Sequence, residues 1–161
     1  MVFRRAKPQE ILELFWEGYK VWSRNRTFEQ YSADNVKEDA YGTRYVIEEN
    51  GELVSSLILL KLKDLSGKRI YGIGSVLTPL LHKKKGYASE LLKNCLEQVD
   101  SSNAIIFLYS EVAPAFYERF HFRVLPPRLQ KDTGSICMAL CTDEIWEQLL
   151  KHGIDAIPDH F

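Results

Sequence analysis

The residues with the clearest chemical use lie in one loop, Ser75-Val76-Leu77-Thr78-Pro79-Leu80-Leu81-His82-Lys83-Lys84-Lys85-Gly86-Tyr87-Ala88-Ser89. A turn that feeds a helix leaves several backbone N–H groups without intrahelical partners, all aimed one way. The helix dipole adds about half a positive charge at that end, and the two together make an anion site. Gly86 removes the Cβ that would hold a phosphate away from the backbone, and Ala88 is nearly as small. Lys83, Lys84 and Lys85 add positive charge where the dipole by itself favours acids. That placement is unfavourable unless an anion sits there. The segment has neither the Gly-Lys-Ser/Thr of a P-loop nor the Gly-x-Gly-x-x-Gly of a dinucleotide fold. Its bland alternative is a solvated basic turn before an ordinary helix. A second segment, Leu108-Tyr109-Ser110-Glu111-Val112-Ala113-Pro114-Ala115-Phe116-Tyr117, carries a tyrosine that by itself reads as a core aromatic beside Phe116 and Phe120.

Both segments resemble motifs of the GNAT superfamily of N-acetyltransferases. The loop is similar to its acetyl-CoA motif, Arg/Gln-x-x-Gly-x-Gly/Ala, and to the variant Val-x-Thr-Pro…Arg-Gly-Lys-Gly-Tyr-Ala. The variant is matched by Val76, Thr78, Pro79, Lys85, Gly86, Tyr87 and Ala88, while Lys83 replaces the usual arginine and Lys84 the usual glycine. The second segment resembles the motif Phe-Tyr-x-x-x-Gly-Phe, with Tyr117 and Phe122 in place and His121 at the glycine. Histidine tolerates a left-handed backbone better than most non-glycine residues. The two motifs stand in order, about thirty residues apart.

The resemblance implies an α/β fold with a central, mostly antiparallel sheet, one parallel strand pair and flanking helices. It implies acetyl-CoA as co-substrate, no metal, and direct transfer to a primary amine. Val76, Leu77, Thr78, Lys83, Lys84, Lys85, Gly86, Tyr87, Ala88, Ser89, Ser110, Phe116 and Tyr117 are the expected acetyl-CoA contacts. The backbone N–H of Leu77 is the expected oxyanion donor, and Tyr117 the general acid. A thiol near pKa ~8.5 leaves more easily when a hydroxyl shares a proton with it. The amine must also lose a proton, since an alkylamine near ~10.4 is cationic at neutral pH. Many relatives use a glutamate on the third meander strand, but Ile70-Tyr71-Gly72-Ile73-Gly74-Ser75-Val76 has none. Glu111, or a water held by Tyr71 or Ser75, remains as a candidate base. The Val-x-Thr-Pro and Leu-Tyr-Ser-Glu segments look like those of lysine-acetylating small-molecule enzymes, which favours free lysine or another small amine over a protein tail. The rival readings are an acyl-CoA-binding module without turnover and transfer of a different acyl group.

The elements that must position these residues are legible from periodicity. Residues 2–7 read as a strand, followed by a helix from Pro8 to Asn25 with apolar stripes on two sides, and a polar helix over 27–40. Asn50-Gly51 and Ser66-Gly67 mark tight turns in a three-strand meander over 45–77. Ala88, Leu91, Leu92, Cys95, Leu96 and Val99 give an amphipathic helix over 86–101. A buried strand over 104–109, a brief helix at 116–120, strands near 122–125 and 135–140, and a helix over 143–152 complete the order. The central strand–helix–strand segment predicts the parallel pair.

Composition sets the class. The 161 residues are 45% hydrophobic and 27% charged, with net charge -1. That reads as one folded domain over 1–161, without a cationic field for nucleic acid or membrane. No stretch approaches the roughly 20 apolar residues of a membrane helix, and residues 1–8 lack a signal-peptide core. Cys95, Cys137 and Cys141 suit reduced thiols rather than a disulfide framework, so a cytoplasmic monomer or homodimer is expected. His82, more often solvated than phosphate-bound, joins His121, His152 and His160 in showing no metal-ligand spacing.

Overall fold

The computed structural model describes residues 1–161. Its strands are β1 (Val2–Arg5), β2 (Gly42–Glu49), β3 (Glu52–Leu65), β4 (Lys68–Leu77), β5 (Ala104–Ser110), β6 (Arg123–Val124) and β7 (Ile136–Leu140). The helices are α1 (Ile11–Trp22), α2 (Phe28–Asp39), α3 (Tyr87–Leu96), α4 (Ala115–Glu118) and α5 (Asp143–Leu149). The hydrogen-bonded strand order is β1-β2-β3-β4-β5-β7-β6. β4 and β5 form the parallel pair that the central strand–helix–strand pattern predicts. β1–β2, β2–β3, β5–β7 and β6–β7 are antiparallel. Asn50-Gly51 and Ser66-Gly67 turn the β2–β3 and β3–β4 connections with φ of 52° and 78°, and of 51° and 78°. These are the positive angles that two-residue hairpin turns demand.

By contacts the chain falls into two compact units, Met1–Leu60 with Ser75–Gln98, and Lys61–Gly74 with Val99–Phe161. In the first, α3 packs against β2 and buries Leu91, Leu92 and Cys95. The helix stops at Leu96, short of the expected 101, because Asp100 caps a separate short turn by accepting from the Ser102 N–H. α1 buries one face only, through Leu14, Phe15 and Gly18. The expected second covered stripe is absent: Leu12 is 67% exposed and Trp16 49%. Trp16 instead lies against Tyr19 and Phe28, with centroids 5.8 and 5.3 Å away. Gly18 is required where α1 meets α2, since a Cβ there would fall 2.2 Å from the Tyr31 hydroxyl.

An ion-pair network ties β1 to the start of α1. Arg4 donates to both oxygens of Glu10 at 2.8 Å and to Glu48 at 3.1 Å. The Arg4 hydrogen bond holds the Glu10 carboxyl down at about 2, from an ordinary 4.5. A depressed carboxylate contributes stability that is complete above 4.5 and disappears as pH falls through about 2. Glu10→Gln is therefore expected to cost about 1.5–3 kcal/mol at pH 7. Urea unfolding should show that gap closing towards pH 2.

The second unit has its own core from β4, β5, β7 and α5, centred on Ile70, Ile105, Phe107, Ala139, Ile145 and Leu149. Thr142 caps α5 by accepting from the Ile145 N–H, and the helix ends at Leu149 rather than 152.

Candidate functional site

In the first unit, the candidate loop begins where β4 loses regularity. The β4–β5 ladder has its last pair at Ile73↔Leu108, and two residues later Ser75 takes φ 50°. A non-glycine residue in the left-handed region re-aims the chain after it. Leu77, 8% exposed, and Thr78 are then held by Ser55 of β3. The Ser55 hydroxyl is 3.1 Å from the Leu77 carbonyl, to which it donates, and 3.0 Å from Thr78 Oγ1. Ser55 is missing from the sequence-based site, although a serine pair inside the apolar run Val54-Ser55-Ser56-Leu57 signals a buried polar task. Ser55→Ala leaves the buried Leu77 carbonyl without that donor and is expected to cost about 1–3 kcal/mol, measured by urea unfolding.

Beyond β4 the backbone makes a short 3-10 turn, Leu80–His82, and Lys83 is extended. Lys84 (φ 64°) and Gly86 (φ 82°) are both left-handed, and α3 starts at Tyr87. Turns of this kind point successive N–H groups into an anion-binding concavity. No side chain caps α3, so its first N–H groups face outward from the helix. A Cβ on Gly86 would meet nothing within 4 Å, so the backbone angle, and not crowding, demands glycine. Lys83, Lys84 and Lys85 are exposed without an acidic partner. Tyr87, Ala88, Ser89 and Val76 are half-buried. His82 departs from the expected solvated side chain: its Nε2 lies 3.3 Å from Glu52, and it is edge-on to Tyr87 at 6.3 Å.

The remaining expected residues lie in the second unit. Ser110 ends β5, buried, with its hydroxyl donating to the Val112 carbonyl at 2.6 Å. α4 presents half-buried Phe116 and buried Tyr117, with ring centroids 4.9 Å apart. Phe122 packs edge-on at 6.1 Å from Tyr117. Burial first, and the charge of Glu111 second, push the Tyr117 phenol up to about 12. His121 sits at φ 71°, keeping the left-handed turn that the usual glycine makes. The Phe120 and Phe122 N–H groups close this turn on the Tyr117 carbonyl at 2.9 and 3.4 Å.

The expected contacts thus divide: residues 76–89 in the first unit, and Ser110, Phe116 and Tyr117 in the second. Of the candidate bases, Glu111 is the one whose charge is felt at Tyr117. Burial pushes the Cys95 and Cys137 thiols up to about 12, which suits packing residues and not nucleophiles. No helix is long and apolar enough to cross a membrane.

Comparison with known proteins follows the same lines. The sequence profile of the Acetyltransferase (GNAT) domain matches residues 3–125. Aminoglycoside 6'-acetyltransferase type Ii superposes with a TM-score of 0.67 at 15% identity, over 88% of this chain and 97% of that one. Naa50 of Arabidopsis thaliana, solved with the bisubstrate analogue CoA-Ac-MVNAL, gives 0.65 at 16%, over 88% and 98%. A GNAT family acetyltransferase of Brucella melitensis, in complex with acetyl-CoA, gives 0.61 at 18%, over 88% and 89%. A conserved Enterococcus faecalis protein of unknown function matches 76% of this chain, with a TM-score of 0.66 at 17% identity, and the match spans 32% of its own length. At such identities these structures show a shared fold. No curated protein sequence matches the chain.

Proposed function

The chain belongs to the GNAT acetyltransferase family, and we propose that it moves an acetyl group from acetyl-CoA to the primary amine of a small molecule, with residues 1–161 working as one domain. One observation carries this reading: the uncapped head of α3, entered through left-handed Gly86 behind three exposed lysines. N–H groups of Gly86, Tyr87, Ala88 and Ser89 take the diphosphate, and Lys83, Lys84 and Lys85 neutralise it. The backbones of Val76 and Thr78 hold the pantetheine arm. The Leu77 N–H faces the thioester oxygen, where negative charge develops. Ser110 and Phe116 line the acetyl-CoA path beside Tyr117. The Tyr117 phenol gives its proton to the departing sulfur; with its pKa raised to about 12, that proton is in place at neutral pH.

Support for acetyl-CoA comes also from the Brucella melitensis and Arabidopsis thaliana structures, which contain acetyl-CoA and a CoA-bearing analogue. A small amine such as free lysine is favoured by the Val76–Pro79 and Leu108–Glu111 sequences. The test is release of free thiol from acetyl-CoA against a panel of free lysine, polyamines and peptide N-termini. Amine-dependent release is expected, fastest with a small amine. Tight acetyl-CoA binding without release for any amine would instead mark a non-catalytic module.

A further inference from the structure

Tyr117 accounts for a proton given to sulfur but not for the proton that the ammonium acceptor must lose. β4 carries no Asp or Glu over Lys68–Leu77. In the second unit, residues 158–161 are held against Tyr109 of β5, Gly72 of β4 and Lys131. Tyr109 donates to the Pro158 carbonyl at 2.5 Å, and its ring packs on His160 and Phe161, with centroids 4.9 and 5.6 Å away. Phe161 covers Gly72 of β4 so closely that a Cβ there would lie 2.6 Å from its ring. Lys131 holds Asp159 at 2.9 Å.

These contacts fix the His160 imidazole between two carboxylates. Its Nε2 lies 4.0 Å from Glu111 Oε1 and 3.9 Å from Asp132 Oδ2, and Ser135 in turn donates to Asp132 at 2.5 Å. The titratable groups around it are therefore Glu111, Asp132 and Tyr109. The Lys131–Asp159 pair is adjacent in the chain, and Cys137 lies against Tyr109. Glu111 lies 4.0 Å from His160, and its charge helps to push the Tyr117 phenol up. The group does not form a metal site.

We propose that Glu111 is the base for the acceptor amine, and that His160, delivered by the C-terminal segment, is the positioning residue that orients Glu111 and passes its proton to solvent. The proposal rests on the acetyl-transfer reading above. The ammonium gives one proton to the Glu111 carboxylate, which hands it by way of a solvent water, across the 4.0 Å gap, to His160 and on to bulk solvent. The nitrogen lone pair then forms the C–N bond as the C–S bond breaks, and Tyr117 protonates the sulfur. The second nitrogen proton restores the phenol through solvent. The sum is ammonium plus thioester to amide, thiol and one proton.

The test is kcat/KM for acetyl-CoA and free lysine against pH, in the full chain and in Glu111→Gln, His160→Gln, His160→Ala and Tyr117→Phe, with melting temperatures alongside. At pH 7 both His160 variants should lose about tenfold, less than the ~10²-fold lower end for outright loss of an acid–base group. Glu111→Gln should lose at least as much. Each deficit should shrink to within about twofold near pH 10, where the amine is increasingly its own free base. A deficit in His160→Gln that is equal at every pH overturns the positioning role. A wild-type profile in Glu111→Gln overturns the base. Loss confined to Tyr117→Phe removes the pair and keeps the acid, whereas an unaffected Tyr117→Phe removes the acid independently of the pair.

Discussion

Tyr117→Phe should lower kcat at pH 7 by about 10²-fold and leave KM for acetyl-CoA nearly unchanged. General acids contribute about 10²–10⁴-fold, most when their pKa lies near the working pH. Burial holds this phenol at about 12, well above neutrality and above the ~8.5 of a free thiol. It is a reluctant acid, so the lower end of the range applies. The same number fixes the pH profile. The group stays protonated throughout the working range, so wild-type kcat should show no fall assignable to it up to pH 10. A fall near pH 10 that disappears in Tyr117→Phe would mean that the phenol is far more solvated than its 7% exposure indicates. An unchanged kcat in the variant would remove the residue from the chemistry.

The other large effect is expected at the helix head. Gly86→Val should raise KM for acetyl-CoA by about 10²-fold with little change in kcat. At φ 82° a side chain is strained whatever the space around it, at a cost of about 1–2 kcal/mol. The new Cβ and its methyls also project where a phosphate must reach the backbone. The strain lowers stability, while holding a phosphate off its main-chain donors costs about 2–3 kcal/mol of binding, which converts to 30- to 150-fold. Steady-state kinetics with acetyl-CoA varied gives the answer, and calorimetric Kd separates binding from turnover. Lost stability with an unchanged Kd would show that the helix head does not hold the diphosphate.

Much of this was readable from residue order. Asn50-Gly51 and Ser66-Gly67 announced their turns because glycine and asparagine are the residues that accept positive φ. The 3.6 period of Leu91, Leu92 and Cys95 announced α3. Three positive φ angles near the candidate site were hidden, because Ser75, Lys84 and His121 carry a Cβ, which makes such angles uncommon. Only a family pattern with glycine at the last two positions hinted at two of the three. The one-sided burial of α1 was also hidden. Its apolar stripe is real, but Trp16 spends itself on Tyr19 and Phe28 along the surface. Least legible were partnerships set by tertiary structure. Ser55 and Thr78 are 23 positions apart, and His160 is brought to Glu111 where Tyr109 donates to Pro158, 49 residues on. Local periodicity carries no information about such pairs.

The central claim is that main-chain donors at the start of α3, with the three lysines, bind a diphosphate. It is tested most directly by calorimetric titration of the full chain with acetyl-CoA and with S-acetylpantetheine, which lacks that group. Acetyl-CoA should bind at least about 10²-fold more tightly, and Lys83→Ala/Lys84→Ala/Lys85→Ala should erase most of the difference. Equal affinity for the two ligands in the wild-type chain would contradict the account.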